Sequence, residues 1–243
     1  MSRIKFLNTE VDNLTMDESI ERIEELILSK KPSYVVTPNV DHIVKLEEDK
    51  EFQDVYKEAD LILTDGMPLI WISKLKKNPI KEKVSGSDLF PRVCKLAADK
   101  GYKVFLLGAA EGVAVRAAEN LRAKYNGLNI IGTYSPSYGF EKKEDEIQKI
   151  IELINEVKPD ILAVGLGAPK QEKFLYNYRK QLNVPVSLAI GASIDFEAGN
   201  MSRAPKWMQN IGLEWLYRLY QEPRRMAKRY LIDDVKIIKL LFK

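Results

Sequence analysis

The side chains best placed to do chemistry in this 243-residue chain stand just after short apolar runs. VVTPN (35–39) ends in Thr37 and Asn39, LTDG (63–66) carries Asp65, and VFLLGAAEG (104–112) turns at Gly108. VGLGAPKQE (164–172) runs into Lys170 and Gln171, and LAIGASID (188–195) ends in Asp195. A carboxylate at a strand end serves as a general base when an acceptor hydroxyl lies within hydrogen-bond reach. Asp65 and Asp195 are the carboxylates so placed. Lys170 opens a helical pattern, where the positive end of the helix dipole disfavours a cation. A lysine there makes better sense facing an anion, such as a diphosphate on the free backbone N–H groups. Each feature also has a plain structural use. Asn39 and Asp65 read as helix N-caps, the latter ahead of a helix with Pro68 in its first turn. Gly165 and Gly167 read as sites of close backbone packing.

Other chemistries lack their residues. The dinucleotide fingerprint G-x-G-x-x-G is absent, as is a Walker A run. No Asp-x-Asp occurs, the pair many sugar transferases use to hold a divalent metal. With one histidine, His42, and one cysteine, Cys94, neither a zinc site nor a Ser/His/Asp set is expected. His42 falls on a helix close after Asn39, and Cys94 in an apolar helical pattern that fits the core. Asp-based chemistry with anion handling, and neither metal nor cofactor, is the expectation that remains.

These side chains need a scaffold that brings strand ends together. Thr15 and Glu18 form a capping box ahead of an amphipathic helix carrying Ile20, Ile23 and Ile27. Apolar runs come next at Tyr34–Thr37, Leu61–Thr64, Lys103–Leu107, Asn129–Thr133, Ile161–Gly165 and Val186–Ile190. Helical patterns lie between them, at Asp88–Asp99, Val113–Tyr125, Glu144–Val157 and Gln171–Leu182. The alternation predicts an α/β fold with a mostly parallel, Rossmann-like sheet flanked by helices. Parallel strands share one carboxyl edge, and ligands bind in the crevice there. The reading divides the chain into an α/β catalytic domain, residues 1–196, and a helical C-terminal appendage, residues 197–243.

Hydrophobic residues make up 45% and charged residues 30% of the chain, a globular composition. The net charge of +3 is unevenly spread: from Arg203 onward ten Lys/Arg face four Asp/Glu. This basic tail interleaves Trp207, Trp215, Tyr217, Tyr220 and Tyr230 with Arg218, Arg224, Arg225, Lys228 and Arg229. The pattern suits a helix pair lying on an anionic membrane surface, aromatics at the headgroups and bases on lipid phosphate. The first ten residues lack the apolar core of a signal peptide, and no run is long enough to span a bilayer. A cytoplasmic protein, peripheral on the membrane, is expected.

Taken together, VVTPN, LTDG, KVSGSDL (83–89), VFLLGAAEGVA, GLGAPKQEKF (165–174), GASIDFEAG (191–199), RAPKW (203–207) and GLEWLYRLYQEPRR (212–225) resemble the WecG/TagA/CpsF glycosyltransferases from about residue 4 to residue 230. The resemblance implies an enzyme of bacterial surface-polymer synthesis on the inner face of the cell membrane. It implies transfer of a sugar, with inversion, from a UDP donor to a lipid-linked, diphosphate-carried sugar. The best-known branch adds N-acetylmannosamine to undecaprenyl-diphosphate N-acetylglucosamine, toward wall teichoic acid. By motif, Asp65 takes the place of the family's proposed general base, with Thr37, Asn39 and Gln171 in the same cleft and Asp195 near the nucleotide. Lys83 stands where the family usually has an arginine, keeping the charge and losing the bidentate fork. Ser193-Ile194-Asp195 replaces the usual Ser-Phe-Asp. Arg218 and Arg225 match tail arginines that close over the diphosphate, and Lys228 stands where a third is usual. Self-association in solution through the apolar surface that the tail would cover is left open, and no nucleic-acid partner is expected. Two other readings compete: a NAD-type oxidoreductase, opposed by the missing fingerprint, and an RNA-binding protein using the basic tail, which nothing else in the chain supports.

Overall fold

Six apolar segments, five of them buried along most of their length, can be satisfied only by a sheet covered on both faces. In a computed structural model, which describes residues 3–241, they are β3 (Ser33–Val36), β4 (Leu61–Ile62), β5 (Lys103–Gly108), β6 (Asn129–Tyr134), β7 (Ile161–Gly165) and β8 (Val186–Ala189). They pair in parallel throughout, in the order β4-β3-β8-β7-β5-β6. The α/β class and parallel sheet expected from the alternation are those observed, with strand limits shifted by a residue or two.

The pleat divides each strand between two cores. Phe105, Leu107, Leu162 and Val164 face one core, covered by α2 (Val40–Glu48), α3 (Lys50–Lys57), α7 (Glu144–Val157) and α8 (Lys170–Leu182). Val104, Leu106, Ile161 and Ala163 face the other, covered by α1 (Met16–Ser29), α5 (Gly86–Lys100) and α6 (Val113–Lys124). Cys94 is fully buried in this second core, as its apolar pattern predicts. The Thr15–Glu18 capping box is formed in both directions.

The sequence reading contains no strand before Tyr34, yet β1 (Arg3–Phe6) and β2 (Thr9–Asp12) form an antiparallel hairpin. Its alternation is too short and too polar to register as a strand signal. Asp12 gives it a purpose: the buried carboxylate pairs with Arg3 at 3.1 Å and accepts the Ile62 N–H at 2.8 Å. The hairpin thereby covers the exposed edge left by the short β4.

Beyond α9 (Ser193–Glu197) come α10 (Lys206–Asn210), α11 (Glu214–Gln221), α12 (Pro223–Lys228), a π turn over Arg229–Asp233 and α13 (Ile237–Leu241). Many of this segment's large apolar side chains are exposed, but Met226, Ile237 and Leu240 are buried, the last two in the first core. α4 (Met67–Leu75) takes part in this packing: the Lys76 ammonium after it donates to the Leu241 carbonyl at 2.7 Å.

At the carboxyl edge the strands end in glycines because backbone meets backbone. A Cβ on Gly165 would lie 2.7 Å from the Gly191 carbonyl oxygen, and one on Gly108 would strike the Gly165 carbonyl. Gly108 also holds a positive φ of 117°. Gly108→Ala is expected to cost roughly 1–3 kcal/mol by overpacking, read as a lower urea midpoint at unchanged m. Gly139→Ala, at positive φ but with open space around it, should cost less; equal losses would refute the backbone contact as the cause.

Candidate active site

The carboxyl ends of β3, β4, β7 and β8 open on a cleft of about 660 Å3. Thr37, Asn39, Asp65, Gln171, Asp195, Arg218 and Lys228, residues that the sequence scatters over almost 200 positions, all line it. Thr37 is buried and donates from Oγ1 to the Ala189 carbonyl at 3.4 Å, tying the end of β3 to β8. Asn39 is the N-cap of α2, accepting the His42 N–H, so its structural use and its place in the cleft coincide. Asp65 is not an N-cap. Gly66, at φ 100°, holds that position, and α4 has no side-chain cap. The Asp65 side chain is thus left to the cleft.

Asp65 is half-buried, with its N–H donated to the Pro38 carbonyl at 2.8 Å. Burial pushes its carboxyl up to about 6, with help from the Glu214 carboxylate, while Lys83 and Arg218 oppose the rise. Lys83 therefore stands in electrostatic reach of Asp65, though off the cleft wall, ion-paired at 3.0 Å with Asp88. Asp88 is the better solvated by partners: hydrogen bonds from Arg203 and Ser85, with the Lys83 charge, outweigh its burial and hold it down at about 2. Two carboxylates near the same cations are thus driven in opposite directions, the arrangement that separates an acceptor of protons from a structural anion.

Arg203 was not among the sequence candidates. Pro91, inside α5, has no N–H to offer the Ser87 carbonyl one turn back. Arg203 supplies the missing donor at 3.2 Å and binds Asp88 at 2.6 Å with the same nitrogen. A helix-interior proline is the sequence signal that a donor had to arrive from elsewhere, though not which one.

The remaining candidates divide. Arg218 lies over the Phe196 ring at 5.6 Å, on the cleft wall. Asp195, on α9, and Lys228, on α12, line the cleft as well. Lys170 turns away, paired with Glu141 at 2.8 Å and set over the Tyr138 ring. The cation at the start of α8 is thus satisfied by a carboxylate of this chain. Gly108 lies behind the wall, in contact with Gly165. The Arg225 side chain lies outside the described residues. Arg229, read from sequence only as part of a basic surface, reaches back to Asn39 with Nη2 at 3.0 Å. A contact 190 residues away in the chain leaves no local trace.

At the inner wall, which His42 and Gln171 help to line, lies a polar cluster whose pairing the sequence does not show. His42 and Glu172 are buried, with Nε2 3.2 Å from Oε1. Gln171 Nε2 donates to the same Oε1 at 2.7 Å, and Gln171 Oε1 accepts the Gly191 N–H at 3.1 Å. Among the described residues, no group of three or more His, Cys, Asp or Glu is gathered as a metal site.

An open parallel sheet with a polar, cation-rimmed cleft outside its carboxyl ends is the architecture in which α/β proteins hold phosphorylated ligands. The chain belongs to the WecG/TagA/CpsF family of glycosyl transferases, whose profile matches residues 4–243. It is 31% identical over 217 residues to the N-acetylglucosaminyldiphosphoundecaprenol N-acetyl-beta-D-mannosaminyltransferase of Bacillus subtilis (strain 168), covering 89% of this chain and 82% of that one. The protein of the same description from Bacillus spizizenii is 30% identical, over 94% of this chain and 85% of its own. That from Staphylococcus aureus (strain MW2) is 27% identical, over 93% and 88%. The family expected from the motifs is the family found, and the protein is a glycosyltransferase.

The raised Asp65 carboxyl has a consequence for stability. A group held above its ordinary value in the fold stabilises it while protonated, and that contribution is lost as pH rises through about 6. Above that pH the ionised carboxylate is a cost. Asp65→Asn is expected to raise stability at pH 8 by on the order of 1–2 kcal/mol, allowing for partial exposure, and to change it little at pH 4. Thermal melts of both proteins at the two pH values check this; a variant less stable at pH 8 would contradict the electrostatic picture.

Proposed function

We propose that this protein transfers N-acetylmannosamine, or a closely related sugar, from a UDP donor to an undecaprenyl-diphosphate-linked N-acetylglucosamine, with inversion. The reaction belongs to the synthesis of a cell-surface polymer such as wall teichoic acid. The observation that carries the reading is Asp65: a half-buried carboxylate at a strand end, raised by burial to about 6 against the pull of two nearby cations, in a cleft of nucleotide-sugar size. The acceptor named in the relatives' descriptions, a diphosphoundecaprenol-linked N-acetylglucosamine, supports the choice of acceptor.

In this mechanism Asp65 takes the proton of the acceptor hydroxyl as its oxygen bonds to the anomeric carbon from the face opposite the leaving group. The bond from that carbon to the diphosphate breaks, and its electron pair departs with UDP. Charge grows on the leaving phosphate, and fixed cations are the means of offsetting it without a metal. Arg218 and Lys228 line the cleft, and Lys83 stands beside Asp65. Thr37 and Asn39 line the same cleft as Asp65, and Asp195, also on its wall, belongs by motif to the segment near the nucleotide.

The C-terminal appendage, residues 197–243, serves as the membrane contact. It exposes Trp207, Ile211, Tyr220, Leu231 and Ile232 beside its basic residues, which suits an interfacial surface facing anionic lipid. No helix among the described residues is long and apolar enough to cross a membrane. We place the protein on the inner face of the cell membrane, peripheral, with the cleft toward its lipid-borne acceptor.

Transfer from UDP-N-acetylmannosamine to a lipid-diphosphate N-acetylglucosamine, monitored by product mass, tests the reaction. Asp65→Asn is expected to lower kcat/KM by about 100-fold or more, in the range of lost general bases. In the wild-type protein, kcat/KM should fall about tenfold per pH unit below the value of about 6 at which Asp65 takes up its proton. An undiminished Asp65→Asn enzyme would remove the assigned base. Calorimetric UDP binding should be indifferent to EDTA; loss on chelation would replace the cations by a metal. For the membrane contact, Leu231→Glu with Ile232→Glu should abolish co-sedimentation with phosphatidylglycerol vesicles, and persistence of binding would move the contact elsewhere.

A further inference from the structure

His42 and Glu172 are buried titratable groups that the transfer scheme does not use, and their donors and acceptors can be assigned atom by atom. Asn39 Oδ1 receives Arg229 Nη2 at 3.0 Å. A guanidinium only donates, so this end of the carboxamide is the oxygen. His42 Nδ1 lies 2.8 Å from the same oxygen, which places a proton on Nδ1. The Asn39 N–H also points at Nδ1, at a looser 3.4 Å, and the shorter contact decides. With its oxygen turned inward to these donors, the amide nitrogen of Asn39, a residue of the cleft wall, is left for the cleft.

On the other side of the imidazole, Nε2 meets Glu172 Oε1 at 3.2 Å, a contact that requires a further proton on one of these two atoms, and that oxygen also accepts Gln171 Nε2 at 2.7 Å. The Gly191 N–H, again a donor only, fixes Gln171 Oε1 as the acceptor. Glu172 is fully buried and His42 95% so, with the Phe52 ring stacked on the imidazole at a centroid distance of 5.9 Å. One rigid pair therefore joins two cleft residues that arrive on different strand-to-helix turns, Asn39 after β3 and Gln171 after β7.

We propose that His42 and Glu172 are positioning residues for the transfer: the pair holds the Asn39 carboxamide with its nitrogen toward the substrate and fixes Gln171 opposite it. This rests on the transferase reading above. Asn39 and Gln171 touch the substrate; His42 and Glu172 act through them. Both ring nitrogens and Glu172 Oε1 are engaged, while the buried Glu172 Oε2 has no hydrogen-bond partner; the engaged contacts are the ones that specify the arrangement.

The test uses the full chain. His42 is its one histidine, so a 15N–1H correlation of the labelled imidazole reports this residue alone. A proton on Nδ1 is expected; a bare Nδ1 overturns the proposal, whatever the activity. In transfer assays, His42→Leu and Glu172→Leu should each lower kcat at least tenfold, with the donor KM changed less than threefold. His42→Asn, whose amide nitrogen can stand where Nδ1 stood, should recover at least threefold over His42→Leu. Equal kcat for those two variants, or losses confined to KM, would overturn positioning. An inert wild-type protein with a protonated Nδ1 would refute the transferase reading instead, leaving the amide orientation intact.

Discussion

The cleft depends on the parallel pairing of β3 with β8 and of β8 with β7. Neighbouring strands in a sheet lie about 4.8 Å apart, so this register delivers the ends of three strands to one short line. The turns leaving those strands are then forced to share a small space. Glycine stands at Gly165 because a side chain there would enter the Gly191 backbone, and at Gly191 because the turn takes a positive φ of 55°. The Thr37 hydroxyl is spent on the Ala189 carbonyl for the same reason. The crevice outside the carboxyl ends is a property of the sheet; its polar lining is placed there by the turns of this sequence.

Electrostatics then sort the side chains so assembled. Asp65 and Asp88 stand near the same cations, and their environments part them, one raised to about 6 and one held at about 2. The difference is hydration lost and regained. Burial is the largest single influence on both, but Asp88 is given back hydrogen bonds by Ser85 and Arg203, whereas the charges of Lys83 and Arg218 do not offset it at Asp65. Arg203 enters this balance because Pro91 leaves a helix carbonyl without a donor. A local defect in α5 is thus one anchor by which the C-terminal segment is tied to the site.

That segment has two faces. Met226, Ile237 and Leu240 are buried and Arg229 reaches Asn39, so part of it completes the cleft and the core. Trp207, Tyr220 and Leu231 remain in solvent. The membrane contact proposed above would give the outward apolar side chains and their basic setting one cause.

Much of this was determined by the sequence alone. Apolar runs of strand length alternating with helical patterns admit few folds other than a covered parallel sheet, and such a sheet has one edge at which ligands bind. Asp65, Asn39, Thr37 and Gln171 could be placed there because each comes directly after a strand. Their short-range context is the information the sequence carries. The tertiary structure decided the rest, for a physical reason: pairing at long range leaves no periodicity. It turned Lys170 onto Glu141, set Gly108 behind the wall, and made Gly66 rather than Asp65 the residue at the N-cap of α4. It also joined His42 to Glu172 and Arg229 to Asn39, 130 and 190 residues apart. Whether a charged side chain meets a ligand, a partner or solvent is set by what the fold brings beside it, and only the folded chain holds that.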